Sequence, residues 1–284
     1  MRLFDKLKSH RWDLGLLFFD DPSTFLKGDW KIFYVKDWDK SRWFADPFVL
    51  DVTPLEVVLL VEEFSYRIGK GRIAKIVVDR QSMEVKDVKI VLELPTHLSF
   101  PAILRKDGEV YIYPENSASG MHSIYCLVGD SLQKTGILSD YPLTDAVILE
   151  SGARMLSTML PDPNGKCLTI LSKRNGKYQP ESKVQFDEHI ARNAGDIIKI
   201  SGRYVRPAQI SDGGYGYGLG ISFQEMEEHT DSMHFRELLR KYPPAGYDGM
   251  HTFNWYKGVA AIDLRKYNYP VVRKILHKIK HFGK

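Results

Sequence analysis

Cysteine is nearly missing: Cys126 and Cys167 are the only two in 284 residues, and they have no metal-type spacing. Neither a disulfide framework nor a zinc site follows. Long hydrophobic runs are also missing. The longest, Glu56-Val57-Val58-Leu59-Leu60-Val61 with its neighbours, is strand-sized and far short of the roughly 20 residues that span a bilayer. Met1-Arg2-Leu3-Phe4-Asp5-Lys6-Leu7-Lys8 has no continuous apolar segment and no small-residue cleavage site, so it does not read as a secretory signal. The expectation is a cytoplasmic protein that reaches the inner face of the membrane at most. Acidic residues are absent from 265–284, which carries seven Lys or Arg, while 1–12 adds a net three positive charges. With a total of +4, the body between them stands near −6. Nucleic acid is not the expected partner, because a protein that binds it would carry its positive charge on the binding face rather than at the ends. There is no nucleophile elbow and no zinc-type His/Glu pattern. The glycines of Gly213-Gly214-Tyr215-Gly216-Tyr217-Gly218-Leu219-Gly220 lack the following helix that a dinucleotide site needs, and they suit a rim loop.

What the chain does have is short apolar strands at a regular spacing. Residues 44–50, 56–62 and 72–78 read as three consecutive strands, with Thr53-Pro54 and Gly69-Lys70-Gly71 as breakers. A second unit runs through 99–104, the hairpin pair Asp107-Gly108, 109–113 and 123–128, and a third through 145–149, 154–159 and 167–172. The fourth holds 194–200, 203–207 and 218–223; a fifth, partial unit covers 249–263. The leading residues Asp46, Pro101, Asp145, Gly195 and His251 lie 55, 44, 50 and 56 residues apart, a period that fits propeller blades. The prediction is an all-β, five-bladed β-propeller, closed by the strand 31–35, with a β-sandwich as the alternative. Closure removes the sheet edges that an open array would expose. Helices are expected only at 232–241 and 271–282. The latter is a basic amphipathic segment that either lies on an anionic membrane surface or packs on the propeller. The domain division is 1–264 for the propeller, including its lead-in and closing strand, and 265–284 for the basic tail.

Residues that open the innermost strands of a propeller converge on its axis, which would bring Asp46, Asp145, Arg192 and His251 together. Arg192, Arg206, Gln209 and His97 suit sugar hydroxyls, carboxylates or phosphate; their plainer role is to tie blades together through backbone carbonyls. His251 could help to hold an axial metal ion or be a hydrogen-bonded structural residue, and no other cofactor is expected. Trp43, Phe44, Tyr113, Tyr215, Tyr217 and Trp255 offer faces for stacking on a pyranose, or simply inter-blade core.

Phe44-Ala45-Asp46-Pro47-Phe48 resembles the Ala-Asp-Pro element of glycoside hydrolase family 43, in which that Asp is the general base. Over nearly the whole chain a closer likeness holds. Phe44-Ala45-Asp46-Pro47-Phe48, Val61-Glu62-Glu63, Gly69-Lys70-Gly71-Arg72-Ile73, Pro95-Thr96-His97-Leu98-Ser99-Phe100-Pro101, Tyr113-Pro114-Glu115-Asn116, Ala191-Arg192-Asn193-Ala194-Gly195, Tyr204-Val205-Arg206-Pro207-Ala208-Gln209 and His251-Thr252-Phe253-Asn254 are similar to the propeller domain of plant glucosamine inositolphosphorylceramide transferases and of bacterial surface-polysaccharide-cluster proteins. Family 43 also places an Asp at the start of blade two and the general-acid Glu at the start of blade three. This chain has Ser99-Phe100-Pro101 and Asp145 there, so the hydrolase set is altered.

The resemblance implies Asp46 as base, with Asp145 (by position) or Glu115 (by its setting) as the acid; Glu62 and Glu63 are further choices. Glu62, Glu63, Arg72, His97, Arg192, Arg206, Gln209 and His251 are the expected substrate-binding residues. Three functions remain: a carbohydrate-active enzyme working on a glycosidic bond, a glycosyltransferase or transferase accessory in polysaccharide or glycolipid assembly, and a non-catalytic sugar-binding propeller. Their partners would be a carbohydrate, a nucleotide sugar or a glycolipid, with peripheral membrane contact through the basic tail.

Overall fold

Alternating apolar and polar runs need partners on both edges, and tight turns supply them in sequence order. In the computed structural model, which describes residues 9–212, 216–228 and 232–268, the chain forms five four-stranded antiparallel sheets. Blade one is β3 (Arg42–Val52), β4 (Glu56–Ser65), β5 (Lys70–Asp79) and β6 (Val85–Leu92). Blade two is β7 (Ser99–Lys106), β8 (Glu109–Glu115), β9 (His122–Val128) and β10 (Ser131–Ser139). Blade three comprises β11 (Leu143–Ile148), β12 (Arg154–Met159), β13 (Cys167–Arg174) and β14 (Lys177–Gln185). Blade four comprises β15 (Ile198–Ile200), β16 (Arg203–Ile210), β17 (Gly220–Glu228) and β18 (Met233–Lys241). Blade five joins β19 (Phe253–Tyr256) and β20 (Val259–Asn268) to the N-terminal β1 (Ser9–Phe18) and β2 (Phe33–Tyr34). Four hairpins turn through pairs with both φ positive: Asp107-Gly108, Asn175-Gly176, Ser201-Gly202 and Lys257-Gly258. That geometry matches the twist of the flanking strands.

The core follows the ring. One apolar cluster joins blades one, two and three through Leu60, Phe100 and Leu143. Others join blade three to four, four to five, and five to one. Each blade is therefore joined to the next by apolar packing.

The propeller is as the sequence predicts, and two of its elements differ. Ring closure is made by β1, which pairs with β20 over ten residues from Ser9↔Asn268 to Phe18↔Val259. The segment 31–35 contributes only Phe33–Tyr34, outside β1. The expected helix at 232–241 is instead β18, paired with β17. A register shift opposite Phe223 and Gln224 leaves Leu238 without a partner between Leu239 and Glu237. Both leucines then pack on one core, and this bulge gives a strand the apolar spacing of a helix. The expected tail helix at 271–282 lies outside the described residues. Arg265, placed by sequence in the tail, sits within β20. No described helix is long and apolar enough to cross a membrane.

Candidate active site at the axial end of the inner strands

Three inner strands begin with the same irregularity. β3, β7 and β11 each carry a register shift, between Ala45 and Phe48, Ser99 and Ala102, and Thr144 and Val147. Each shift holds a non-glycine residue in the left-handed region: Asp46 (φ 48°), Phe100 (φ 43°) and Asp145 (φ 47°). Such a residue costs about 1 kcal/mol, and the bulge turns its side chain out of the strand's alternation. Phe100, rather than Pro101, is thus blade two's counterpart of Asp46.

The amide freed by each bulge is taken up by a carboxylate from the preceding blade. Asp263 on β20 accepts the Asp46 N–H (2.9 Å), Asp46 accepts the Phe100 N–H (3.0 Å), and Glu115 accepts the Asp145 N–H (3.1 Å). Around Asp46, the other oxygen accepts the Thr252 hydroxyl at 2.8 Å and lies 3.5 Å from His251 Nε2. His251 Nδ1 stands 2.6 Å from Asp263, and its ring stacks on Trp12 with centroids 4.0 Å apart. In blade three, Asp145 Oδ2 accepts from Arg192 Nε (2.6 Å) and Gln209 Nε2 (2.7 Å). Arg192 also reaches Glu115 at 3.8 Å and Asn164 at 2.8 Å. Tyr217 links the two halves, with Arg192 over its ring at 5.3 Å and His251 at 5.6 Å.

Burial governs the charge states. It pushes the Asp46 carboxyl up to about 7, with Asp145, Glu62 and Asp263 adding repulsion and His251 opposing it. Burial and the nearby Asp145 hold Glu115 well above the usual carboxylate range. Desolvation works against a charge on His251, but Asp263 and Asp46 carry its pKa above the ordinary imidazole value. Asp263, despite burial, is held low by His251 and by the N–H groups around it. The result is an Asp263 carboxylate held against a His251 ring that keeps its proton more tightly than usual, beside two carboxyls, Asp46 and Glu115, that resist ionisation.

Asp46, His251 and Asp263 bring ligand-type atoms within 4.8 Å of one another, and no other described group of acids, His or Cys does so. They fit a hydrogen-bonded triad better than a metal site. Asp263 already accepts the N–H groups of Asp46, His251 and Thr252, leaving its oxygens faced by donors that a cation would have to displace.

The sequence candidates fall into three groups. Asp46, Asp145, Glu115, Glu62, His97, Arg192, Gln209 and His251 gather at the axial end; Glu62 sits across from Ala45 in the β3–β4 ladder. Glu63 and Arg72 occupy the opposite face of the same blade, since neighbours along a strand alternate; they pair with each other at 2.9 Å, and Arg72 also pairs with Glu93. Arg206 is fully buried, and its five N–H groups are taken by Ile190 O, Ala191 O, Asn193 and Gln224; none remains for a ligand. Among the aromatics, Phe44 and Tyr113 are inter-blade core, the Tyr113 hydroxyl accepting the Ile148 N–H. Trp255 packs in the blade four–five core, and Tyr215 lies outside the described residues. Asp263, Thr252, Trp12 and Asn164 join the site without having been singled out. Asp263 had a signal: it is a lone charge inside the apolar run Val259-Ala260-Ala261-Ile262-Asp263-Leu264. At the far end of β7, a cavity of about 600 Å³ opens between blades two and three, lined by Arg105, Lys106, Glu150 and Lys173 among others.

The fold is shared with solved sugar-acting enzymes. An exo-β-1,3-galactanase from Phanerochaete chrysosporium, solved with β-1,3-galactotriose, superposes with TM-score 0.54 at 9% identity, over 73% of this chain and 53% of that one. This chain thus spans about half of the galactanase. A family 43 β-1,3-galactosidase with galactodeoxynojirimycin gives TM-score 0.52 at 12% identity, covering 73% and 81%. The family 43 subfamily 1 enzyme from Xanthomonas citri, complexed with xylotriose, gives 0.51 at 14%, covering 81% and 88%. No curated protein sequence matches the chain. The profile for the glucosamine inositolphosphorylceramide transferase 1 N-terminal domain matches residues 35–242, most of the propeller, and the chain therefore belongs to that family.

Proposed function

We propose that the protein is a carbohydrate-active enzyme performing acid/base chemistry at a glycosidic bond, with Asp46 as base and Glu115 as acid. The observation that carries this is the convergence of the Asp46 and Glu115 carboxyls, from adjacent blades, on one axial end, where burial keeps both from ordinary ionisation. Cleavage or transfer needs one carboxyl that stays protonated to release the leaving oxygen and another that accepts a proton from the attacking hydroxyl. Glu115 meets the first need. Asp46, titrating near neutrality, meets the second, and Thr252 and the Phe100 amide hold it in place. Asp145, tied to Arg192 and Gln209, orients the guanidinium beside Glu115.

A second reading, transfer of a sugar onto a glycolipid or polysaccharide acceptor, is favoured by the name of the family. It uses the same two carboxyls with an acceptor hydroxyl in place of water. The test is a product screen of the full chain with glycosides and with nucleotide sugars, alongside Asp46→Asn and Glu115→Gln. Turnover should fall by about a hundredfold or more in each variant. The wild-type rate should rise with pH through about 7, as Asp46 ionises, and fall again at higher pH as Glu115 loses its proton. Product formed only from nucleotide sugars selects transfer, and turnover unchanged in Asp46→Asn removes it as the base.

A further inference from the structure

Glu62 is a buried carboxylate with little to do inside the protein. It is 5% exposed, and its one charged or hydrogen-bonding partner among the described residues is His97, at 3.2 Å from Oε1. A carboxylate can accept about four hydrogen bonds, and no Glu62 oxygen is among the sealed, unpartnered polar atoms of the molecule. It lies within electrostatic reach of Asp46 and Tyr217, so its spare acceptor capacity belongs to the axial cluster.

The surroundings of Glu62 are built to hold it there. His97 Nδ1 accepts the Gly71 N–H at 2.9 Å, so the other ring nitrogen, Nε2, carries the proton of the neutral ring and points it at Glu62. Gly71 has no room for a side chain. A Cβ there would stand 2.5 Å from Leu98 O, 2.6 Å from Glu62 Oε1 and 2.7 Å from His97 Cε1. Two residues along β4, on the same face as Glu62, Phe64 lies flat on Trp43, with centroids 4.7 Å apart and planes at 3°. Phe64 is half-buried, Trp43 is buried behind it, and the His97 side chain is 47% exposed at the edge. A carboxylate with spare acceptors, an imidazole N–H that fixes it, and a rigid aromatic face thus line one wall of blade one.

We propose that Glu62, Phe64 and His97 form a subsite for an uncharged pyranose, with Glu62 accepting two vicinal hydroxyls and Phe64 covering the ring's C–H face. This deepens, and rests on, the assignment of the axial end to carbohydrate chemistry. A vicinal diol places two O–H donors where one carboxylate takes both, and the apolar ring face loses water against an aromatic. A sugar acid is rejected here, because its carboxylate would meet that of Glu62 in a poorly solvated wall.

The experiment follows the His97 ring resonances by NMR in full-length, histidine-labelled protein, assigned with His97→Gln, during titration with methyl β-galactoside, methyl β-xyloside and methyl glucuronide. Saturable shifts are expected with at least one neutral glycoside, and binding of the glucuronide weaker by about tenfold or more. Glu62→Gln should weaken the neutral glycoside by about tenfold, consistent with lost charge-assisted hydrogen bonds, and narrow the gap to the glucuronide. Phe64→Leu should weaken both sugars alike. The proposal is overturned if no glycoside moves His97, if the glucuronide binds as well as the neutral sugars, or if folded Glu62→Gln binds like wild type. Asp46→Asn separates this from the catalytic assignment, because it should retain the His97 shifts while losing turnover.

Discussion

His122 shows most plainly what a single buried group does to this protein. It is 1% exposed, and neither ring nitrogen has a hydrogen-bond partner. Burial alone lowers its pKa to about 4. The unfolded chain takes up this proton below about 6.5, whereas the folded one refuses it until about 4, so stability drains away as pH falls through that window. The shift corresponds to about 3 kcal/mol. His122→Leu should flatten the difference between urea midpoints measured at pH 7 and pH 4, and raise stability at pH 7 by about 1 kcal/mol by removing unpartnered polar atoms. An unchanged pH dependence in the variant would assign the acid sensitivity elsewhere. At this scale the sequence was informative where a charge stood alone among apolar residues, as with Asp46 in Trp43-Phe44-Ala45-Asp46-Pro47-Phe48. For Arg206 it left two roles open, and the plainer one holds, because backbone carbonyls of 190–191 take up its donors. Glu62 and Glu63 are indistinguishable by composition; only the ladder, in which neighbours face opposite ways, separates the axial residue from the salt-bridged one.

At the level of strands, the repeated bulge is the device that makes the site. Its freed amide must find an acceptor, and the acceptor offered is a carboxylate of the preceding blade: Asp263 to Asp46, Asp46 to Phe100, Glu115 to Asp145. The residues proposed for catalysis are therefore also the staples between blades one, two and three. Asp46→Ala leaves the Phe100 N–H and the Thr252 hydroxyl without their acceptor and should destabilise the protein by about 2 kcal/mol more than Asp46→Asn, which keeps an amide oxygen. Thermal melts of the two variants check this, and equal melting points would deny the stapling role. This coupling is why Asn rather than Ala is the informative substitution in the turnover assay.

The inner and middle strands were legible as apolar runs between turn residues. The fourth strand of a blade was not: β6 and β14 are largely exposed, so no buried face imposes an alternation to read. β18 was hidden for a different reason, because its bulge brings Leu238 and Leu239 to the core side by side and imitates helical spacing.

On the scale of the whole molecule, closure is the property the sequence predicted in kind and misplaced in detail. Both 12–19 and 31–35 are apolar and strand-like, and the choice between them depends on a register with residues about 250 positions away, which no local pattern encodes. Removing residues 9–18 takes from β20 all ten of its β1 partners and uncovers Val259 and Ala261, which pack against Leu14 and Leu16. The shortened chain should lose cooperative unfolding and associate through the bared edge. Size-exclusion chromatography with a urea titration checks this, and a monomer with the full-length midpoint would show that β1 is dispensable.

The same pairing sets a timetable for the protein's birth. β20 is made about 250 residues after its partner β1, so the ring stays open until residue 268 has left the ribosome. At ordinary synthesis rates that wait is about 10 to 50 seconds. During it, the blade-one wall and the Asp46 bulge lack the Asp263 staple, and β1 carries an unpaired apolar edge that a chaperone, or another nascent copy, can claim first.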